Sequence, residues 1–158
     1  MAAENEQLLR DNGSIEEITK DQYLTFVIDD EEYAIGIAYT REIVNNLSIF
    51  KVPQTPNYVE GIVSLRGDII PVINVRKRFM KPDKPFDDQT CIVFVDYHGY
   101  QLGLIVDNVR EVMFIEEEYI VPPPSAKLNF YNQFIKNIGK VGDRVKLLLD
   151  LDKFLLQE

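Results

Sequence analysis

The stretch that decides the fold reads VEGIVSLRGDIIPVINVRKRF and spans residues 59–79. Two runs rich in isoleucine and valine flank the letters LRGD, a pattern that predicts a β-hairpin with Gly67 and Asp68 in its turn. Glycine supplies a positive φ in such a turn, and aspartate bonds the local backbone. Turn chemistry does not require Arg66, so the arginine at the edge of this apolar hairpin needs another explanation.

Three more segments show two apolar runs around a short turn, which again predicts hairpins. Their turns lie at residues 29–32, 97–99 and 142–143. Capping residues and apolar spacing predict short helices at residues 40–47, 55–61 and 150–158. None of these helices is long enough for a βαβ crossover, so the expected fold class is all-β without a parallel sheet.

The chain also shows an internal repeat. Phe26 matches Phe94 at a separation of 94 − 26 = 68, and Arg41 matches Arg110 at a separation of 110 − 41 = 69. Later in each half, Val59 matches Ile135. We interpret the halves as two small β units, closed as barrels, that rest against each other across an apolar seam.

Composition excludes several classes of partner. The 158 residues include 26 acidic and 17 basic side chains, giving a net charge of -9 that disfavours nucleic acid and anionic lipid surfaces. No apolar run approaches the ~18 residues of a membrane helix. Residues 1–20 are polar and acidic, unlike a secretory leader, and are predicted to form a mobile tail. We therefore expect a cytoplasmic protein with no direct membrane insertion.

Residues that carry chemistry are sparse. His98 is the single histidine and lies in a predicted turn, and the single cysteine, Cys91, is expected to be a small buried side chain. Neither common glycine-rich phosphate motif occurs, and the acidic clusters lack the spacing of a calcium loop. The sequence thus predicts no enzyme activity, cofactor or metal, although a pair of carboxylates brought together in space stays open as an alternative.

One basic cluster interrupts the acidic chain. The letters RKRFMK at residues 76–81 favour a solvated strand end or helical turn. A basic face with exposed aromatics would instead indicate a small β-barrel that binds nucleic acid, and this alternative also stays open.

Taken together, residues 59–79 resemble the signature of the bacterial chemotaxis coupling family CheW, whose usual form is Gly-x-x-Asn-Leu-Arg-Gly, Pro-Val and Asp/Asn-Leu. The likeness extends through REIVNN and KVPQTPNYVEG before it and through LGLIVDNVREVM and NIGKVGDRVKLLLDLDKFL after it. It implies one domain over residues 21–158, built from two SH3-like five-stranded barrels packed across a shared hydrophobic core. The approximate division is a first barrel at 21–84, a second at 85–150 and a closing helix at 151–158, with strand exchange between the barrels left open.

The resemblance also implies a function. Members of the family are non-catalytic adaptors without cofactors that couple the cytoplasmic tips of methyl-accepting chemoreceptors to the regulatory domain of the histidine kinase CheA. The protein is expected to be a monomer alone and to assemble in signalling arrays. An adaptor of the same fold in a system other than chemotaxis is an alternative.

Matching the family pattern residue by residue gives a set of expected partner-binding positions. They are Glu42, Ile43, Gly61, Ser64, Arg66, Gly67 and Val112. Arg66 suits recognition because its planar fork pairs with a carboxylate while its stem covers apolar surface. The chain departs from the pattern at Ser64, where asparagine is usual, at Thr40, where valine is common, and at Gly36. These departures bear on binding strength and partner choice more than on the fold.

Overall fold

The computed structural model describes residues 19–123 and 133–156, and β-strands dominate this part of the chain. The first five strands are β1 Gln22–Ile28, β2 Glu31–Gly36, β3 Thr40–Val44, β4 Val59–Leu65 and β5 Asp68–Asn74. The remaining strands are β6 Cys91–Tyr97, β7 Tyr100–Val106, β8 Asn108–Phe114, β9 Ile120–Val121, β10 Ile135–Val141 and β11 Arg144–Leu149. Two short α-helices follow strands, α1 at Val75–Arg78 and α2 at Leu151–Leu156. The tail predicted at residues 1–20 lies outside the described residues except for its last two.

The strands form two sheets, which confirms the predicted all-β class. Sheet 1 has the order β8-β1-β2-β11-β10-β9, and sheet 2 has the order β3-β6-β7-β5-β4. Sheet 2 has the five strands expected, and sheet 1 gains a sixth through the two-residue strand β9. Neighbouring strands are antiparallel except for one parallel pair in each sheet, β2 with β11 and β5 with β7.

All four predicted hairpins are present, but the β4–β5 turn is formed by Arg66 and Gly67 rather than by the predicted Gly67 and Asp68. Two-residue turns join β1 to β2, β4 to β5, β6 to β7 and β10 to β11. In the β4–β5 turn, Arg66 and Gly67 have φ values of 52° and 88°. Positive φ at both central residues is typical of the hairpin turn whose twist matches that of the strands.

Two predicted helices are wrong and one is confirmed. Residues 40–44 form strand β3, which pairs with β6 through Thr40 opposite Val95 and Val44 opposite Ile92. Residues 55–58 are turns and bends that lead into β4. The C-terminal helix α2 is present, and Asp150 accepts a hydrogen bond at its start from the backbone N–H of Lys153 (3.2 Å). Pairing with a neighbouring strand supplies backbone hydrogen bonds that a two-turn isolated helix cannot match.

The approximate boundary near residue 85 does not separate the two sheets. Hairpin β1–β2 lies in sheet 1 with β8 and β10–β11, whereas hairpin β6–β7 lies in sheet 2 with β3 and β4–β5. The halves of the chain therefore exchange their first hairpins. The division at 21–84 and 85–150 is corrected accordingly, since each sheet takes strands from both halves.

Three clusters of buried side chains hold the sheets. The largest lies between the sheets and draws on both of them, as the predicted shared core requires; its members include Leu24, Phe26, Tyr33, Val93, Leu102, Leu104, Phe134 and Phe154. Sheet 2 encloses a smaller cluster of Val63, Ile70, Val72, Ile92, Phe94 and Ile105. Sheet 1 encloses Ala34, Ile115 and Leu148. Alternate residues of one strand thus serve different cores, because successive side chains point to opposite faces of a sheet.

None of the helices in the described ranges is both long and apolar enough to cross a membrane.

Candidate partner-binding surface

Arg66 and Glu42 form a two-pronged ion pair on sheet 2. Arg66 Nε donates to Glu42 Oε2 at 3.1 Å, and Nη2 donates to Oε1 at 2.6 Å. The pair joins the β4–β5 turn to strand β3. The side chain of Arg66 is 76% exposed and that of Glu42 is 29% exposed, so the arginine is the outward member and the carboxylate holds it from behind.

The pair stays ionised across the neutral range. The hydrogen bond from Arg66 lowers the pKa of Glu42, and the same bond raises the pKa of Arg66. Bidentate contact with a guanidinium fixes geometry as well as charge. The arginine is therefore presented in one orientation, with Nη1 not bonded to any residue in the described part of the chain.

Gly61 lies in β4 rather than after a helix, and its lack of a side chain is structural. A Cβ at Gly61 would lie 2.1 Å from the carbonyl oxygen of Phe50, whose backbone pairs with Ile62. Gly67 differs, because space around it is open and only its φ of 88° favours glycine. The lack of a side chain at Gly61 therefore lets the backbone at Phe50 pair with β4, whereas the positive φ of Gly67 shapes the turn that carries Arg66.

An exposed apolar face on the hairpin that carries Arg66 was not predicted from the sequence. Phe50 stands opposite Ile62, and Ile62 stands opposite Pro71, so the three side chains share the outer face of sheet 2. Two residues away along β5, Ile69 is on the same face; Phe50 is 63% exposed and Ile69 is 65% exposed. We call Phe50, Ile62, Ile69 and Pro71 the outer face. The alternation of side chains along β5 could have predicted this face from the sequence, since it turns Ile70 and Val72 toward the core and Ile69 toward solvent.

Ser64 also belongs to this surface. It is exposed and pairs across the hairpin with Ile69. In the described part of the chain, Arg66 is bonded by Glu42 and not by Ser64. The serine therefore changes the polarity of the outer face and leaves the placement of the arginine to Glu42.

Ile43 and Val112 lie on edge strands, β3 of sheet 2 and β8 of sheet 1. Ile43 on β3 is opposite the core residue Val93, and Val112 on β8 is opposite the core residue Leu24. Both side chains therefore extend the apolar lining of the shared core toward solvent, and both are exposed. Val112 is in sheet 1, so the structure does not place it on the surface formed by Arg66 and Glu42.

Three of the four basic side chains at residues 76–81 form ion pairs with carboxylates of the same chain. Arg76 bonds Asp107 and Asp29, Lys77 bonds Glu60 at 2.8 Å, and Lys81 bonds Glu31 at 2.7 Å. The guanidinium of Arg78 lies 4.2 Å from the ring centre of Tyr58 and 4.8 Å from that of Phe134. The predicted helical turn is present as α1, but the prediction of a solvated cluster is wrong for Arg76, which is buried.

Within the described residues, no group of three or more histidine, cysteine, aspartate or glutamate side chains is arranged to hold a metal ion. His98 is exposed in the β6–β7 turn, as predicted. Cys91 is half-buried rather than buried, and its Sγ donates to the carbonyl oxygen of Gln89 at 3.2 Å. The candidate surface therefore presents one arginine and a set of apolar side chains.

Comparison with known proteins places this fold. Residues 22–158 match the family model described as CheW-like domain. This chain belongs to the CheW family. A chemotaxis protein CheW of Helicobacter pylori is 36% identical over 138 residues, which cover 87% of this chain and 82% of the relative. One from Bacillus subtilis is 29% identical over 140 residues, covering 89% of this chain and 90% of the relative.

A solved structure agrees with the CheW family fold. The crystal structure of the scaffolding protein TtCheW from Thermoanaerobacter tengcongensis superposes with a TM-score of 0.79 at 34% sequence identity. The match covers 87% of this chain and 94% of that chain. The likeness therefore extends over both sheets and the shared core between them.

One departure from the CheW family pattern has a visible physical consequence. Thr40, where valine is common, has a buried Oγ1 with no hydrogen-bond partner in the described residues. A buried hydroxyl without a partner costs free energy of folding, whereas a valine of the same shape does not. Thr40 stands two residues before Glu42 on β3, so this destabilising hydroxyl lies next to the candidate site.

Proposed function

We propose that this chain is a non-catalytic chemotaxis adaptor in the cytoplasm that couples methyl-accepting chemoreceptors to the regulatory domain of the histidine kinase CheA. The observation that carries the proposal is the exposed arginine of the β4–β5 turn. Arg66 is held by Glu42 at the turn of the hairpin that also carries part of the exposed outer face. The pair borders a pocket lined by Leu65, Ile70 and Phe94. A fixed fork of donors beside apolar surface is the composition of a protein-binding hot spot.

Two separate surfaces support a bridging role. The Arg66 surface is on sheet 2, whereas Val112 and Phe114 are exposed on β8 at the end of sheet 1. Sheet 1 and sheet 2 pack against each other through one core, so partners bound to the two sheets would be connected through this chain. An adaptor needs two such surfaces, and an enzyme needs a reactive cluster that these residues do not supply.

The nucleic-acid alternative loses its only supporting feature. Arg76, Lys77 and Lys81 all bond carboxylates of the same chain. Their charges are therefore neutralised locally, and the chain as a whole has a net charge of -9. Phosphate backbones would be repelled at long range and would find no free basic face in this cluster.

The test is binding to both partners separately and together. The chain would be co-sedimented with membranes that carry a receptor from the same genome, and its affinity for the regulatory domain of that genome's CheA would be measured by calorimetry. Binding to each partner at tens of micromolar is expected, since even weak transient interfaces register at that concentration. A ternary complex is expected when all three are mixed.

Each failure has a distinct meaning. Failure to bind either partner would contradict the proposal and favour an adaptor of another signalling system. Binding to only one partner would contradict the bridging role. A salt-dependent shift of duplex DNA by the chain would revive the nucleic-acid alternative.

A further inference from the structure

The two α-helices occupy equivalent places in the two halves of the chain. Strand β5 begins at Asp68 and β11 begins at Arg144, a separation of 144 − 68 = 76. Helix α1 begins at Val75 and α2 begins at Leu151, a separation of 151 − 75 = 76. The same separation makes Arg76 the counterpart of Asp152.

Helix α1 bonds a hairpin of the opposite sheet. It directly follows β5 of sheet 2, and Nη2 of Arg76 donates to a carboxylate oxygen of Asp29 in the β1–β2 turn of sheet 1. Arg76 also donates twice to Asp107, from Nε to Oδ1 at 2.8 Å and from Nη2 to Oδ2 at 2.6 Å. Asp107 lies where the chain passes from β7 in sheet 2 to β8 in sheet 1.

Further hydrogen bonds join Asp107 to the β1–β2 hairpin and satisfy the remaining nitrogen of Arg76. Asp107 Oδ2 accepts from the backbone N–H of Asp29 at 2.8 Å, and the backbone N–H of Asp107 donates to the carbonyl of Val27 at 3.1 Å. Arg76 Nη1 donates to the carbonyl oxygen of Pro82 at 2.9 Å. Each nitrogen of this guanidinium is therefore bonded, and only 9% of the side chain is exposed.

Helix α2 makes the corresponding contact in the other direction. It follows β11 of sheet 1, and Asp152 accepts a hydrogen bond from the hydroxyl of Tyr97 at the end of β6 in sheet 2. Phe154 of the same helix is buried in the shared core. Each helix thus follows a strand of one sheet and binds a hairpin of the other.

We propose that these two contacts, Arg76 with Asp29 and Asp107 and Tyr97 with Asp152, are latches that fix the orientation of the two sheets relative to each other. The shared core contributes most of the free energy that holds the sheets together, but apolar attraction is not directional and is a weaker constraint on their relative orientation. Hydrogen bonds between charged or polar groups have a preferred geometry and so select one arrangement. The latches therefore set the spacing between the Arg66 surface and strand β8.

The test measures that spacing directly. Spin labels would be attached at Lys140→Cys on β10 and Gln101→Cys on β7 in a Cys91→Ala background, and the distance distribution between them would be recorded. Both labelled positions are exposed and lie in different sheets. The labelled chain with both latches intact is expected to give one narrow distribution.

Each latch is then weakened by a mild substitution. Asp29→Asn removes one charge and tolerates the φ of 56° at this position, while Tyr97→Phe removes one hydroxyl. Each variant is expected to broaden or shift the distribution, and the double variant is expected to do so further. Lys77→Met is the matched control, because it removes a charge from α1 whose bonds to Glu60 and Asp83 do not reach the first hairpin of sheet 1.

An unchanged distribution in the folded double variant would overturn the proposal, because the core and the remaining contacts, such as Lys81 with Glu31, would then orient the sheets. A change in one single variant, with no further change in the double variant, would overturn the claim of two latches. An equal change in Lys77→Met would contradict the proposal, because removing any charge from α1 would then alter the distance distribution. Circular dichroism of every variant checks folding, and the single variants decide if the double variant does not fold. The measurement needs no partner, so it is independent of the proposed function.

Discussion

Arg66 combines an unfavourable backbone conformation with an exposed, ordered side chain. The turn that carries it needs two residues with positive φ, and an arginine is an unfavourable choice for the first of them. Its fork is nevertheless bonded to Glu42 and its side chain is largely exposed. The cost in the turn and the ordered charge at the surface together point to selection for binding.

Arg66→Ala is expected to weaken binding of at least one partner by about tenfold or more, as truncation of a hot-spot arginine does. The thermal unfolding midpoint should change little, because exposed ion pairs add little to folding. Arg144→Ala is the matched control, since Arg144 is 74% exposed and also pairs with a glutamate, Glu32. Equal loss of binding in the control, or a large fall in the midpoint for Arg66→Ala, would contradict the assignment.

Thr40→Val is expected to stabilise the fold. The substitution keeps the shape of the side chain and removes a buried hydroxyl that has no partner in the described residues. A gain of about 1 kcal/mol in the free energy of unfolding follows from the desolvation cost of such a group. Urea denaturation measures it, with Thr55→Val as a control because the Thr55 hydroxyl donates to the carbonyl of Val52 at 3.1 Å. Loss of stability in Thr40→Val would show that the hydroxyl has an unseen partner.

Single residues differed in how far the sequence predicted them. The family pattern placed Arg66 and Glu42 in one set of expected partner-binding positions, whereas it predicted neither their ion pair nor the exposed Phe50. Phe50 is exposed because its backbone pairs with β4 and turns its side chain outward. The exposure of a side chain depends on which segment its backbone pairs with. The spacing of nearby residues does not show which distant segment that is.

At the scale of elements, the repeat is more regular in the structure than in the sequence. Ile28 and Tyr97 end the first strands, a separation of 97 − 28 = 69, and Glu31 and Tyr100 begin the second ones, a separation of 100 − 31 = 69. The match of Phe26 with Phe94 is therefore out of register by one residue. Strand pairing aligns backbone positions, whereas similar letters can match one position away.

Hairpins were predicted better than helices for a local reason. A hairpin has its turn residues and its alternation in one continuous stretch, as residues 59–79 show. The segment at 40–47 has apolar residues at spacings that fit either a helix or a strand. Its pairing with β6, about fifty residues later, decides the outcome.

The contact between α1 and the β7–β8 connection predicts a dependence on pH. Burial by itself raises the pKa of Asp107, but hydrogen bonds from Arg76 and from the Asp29 amide outweigh it, so the pKa is lowered on folding. The ionised form therefore stabilises the fold. This contribution is complete above the unfolded pKa of about 3.9 and is lost as pH falls through the folded value.

Asp107→Asn is accordingly expected to lower the free energy of unfolding at neutral pH by about 3 kcal/mol, the cost of breaking a buried pair. Its stability should also fall less steeply than that of the unsubstituted chain below about pH 4. Urea denaturation at a series of pH values measures both effects, with the exposed Asp88→Asn as control. An identical pH slope in the Asp107→Asn chain would contradict the role of this carboxylate.

At the scale of the whole molecule, the exchange of first hairpins makes the two halves interdependent. Sheet 1 takes β1 and β2 from the first half and β8 to β11 from the second, and sheet 2 is mixed in the same way. Neither half contains a complete sheet. Folding must therefore bring together strands that are far apart in sequence, which slows it relative to a local topology.

Cleavage of the chain in the exposed connection at residues 82–88 is expected to give two fragments that do not fold separately. Mixing them at equal concentration should restore the β-sheet circular dichroism and a cooperative unfolding transition. The reason is that each fragment lacks the strands next to its own hairpins. Cooperative unfolding of either fragment alone would contradict the interdependence of the two halves.

The sequence by itself determined the all-β class, the four hairpins and the acidic charge, because each of these depends on composition or on residues close together in the chain. Only the tertiary structure decided which hairpin joins which sheet, that Arg76 is buried between Asp29 and Asp107, and that Phe50 and Ile69 face solvent. Those outcomes depend on contacts between distant segments. Their free energies come from burial and pairing that exist only once both partners are in place.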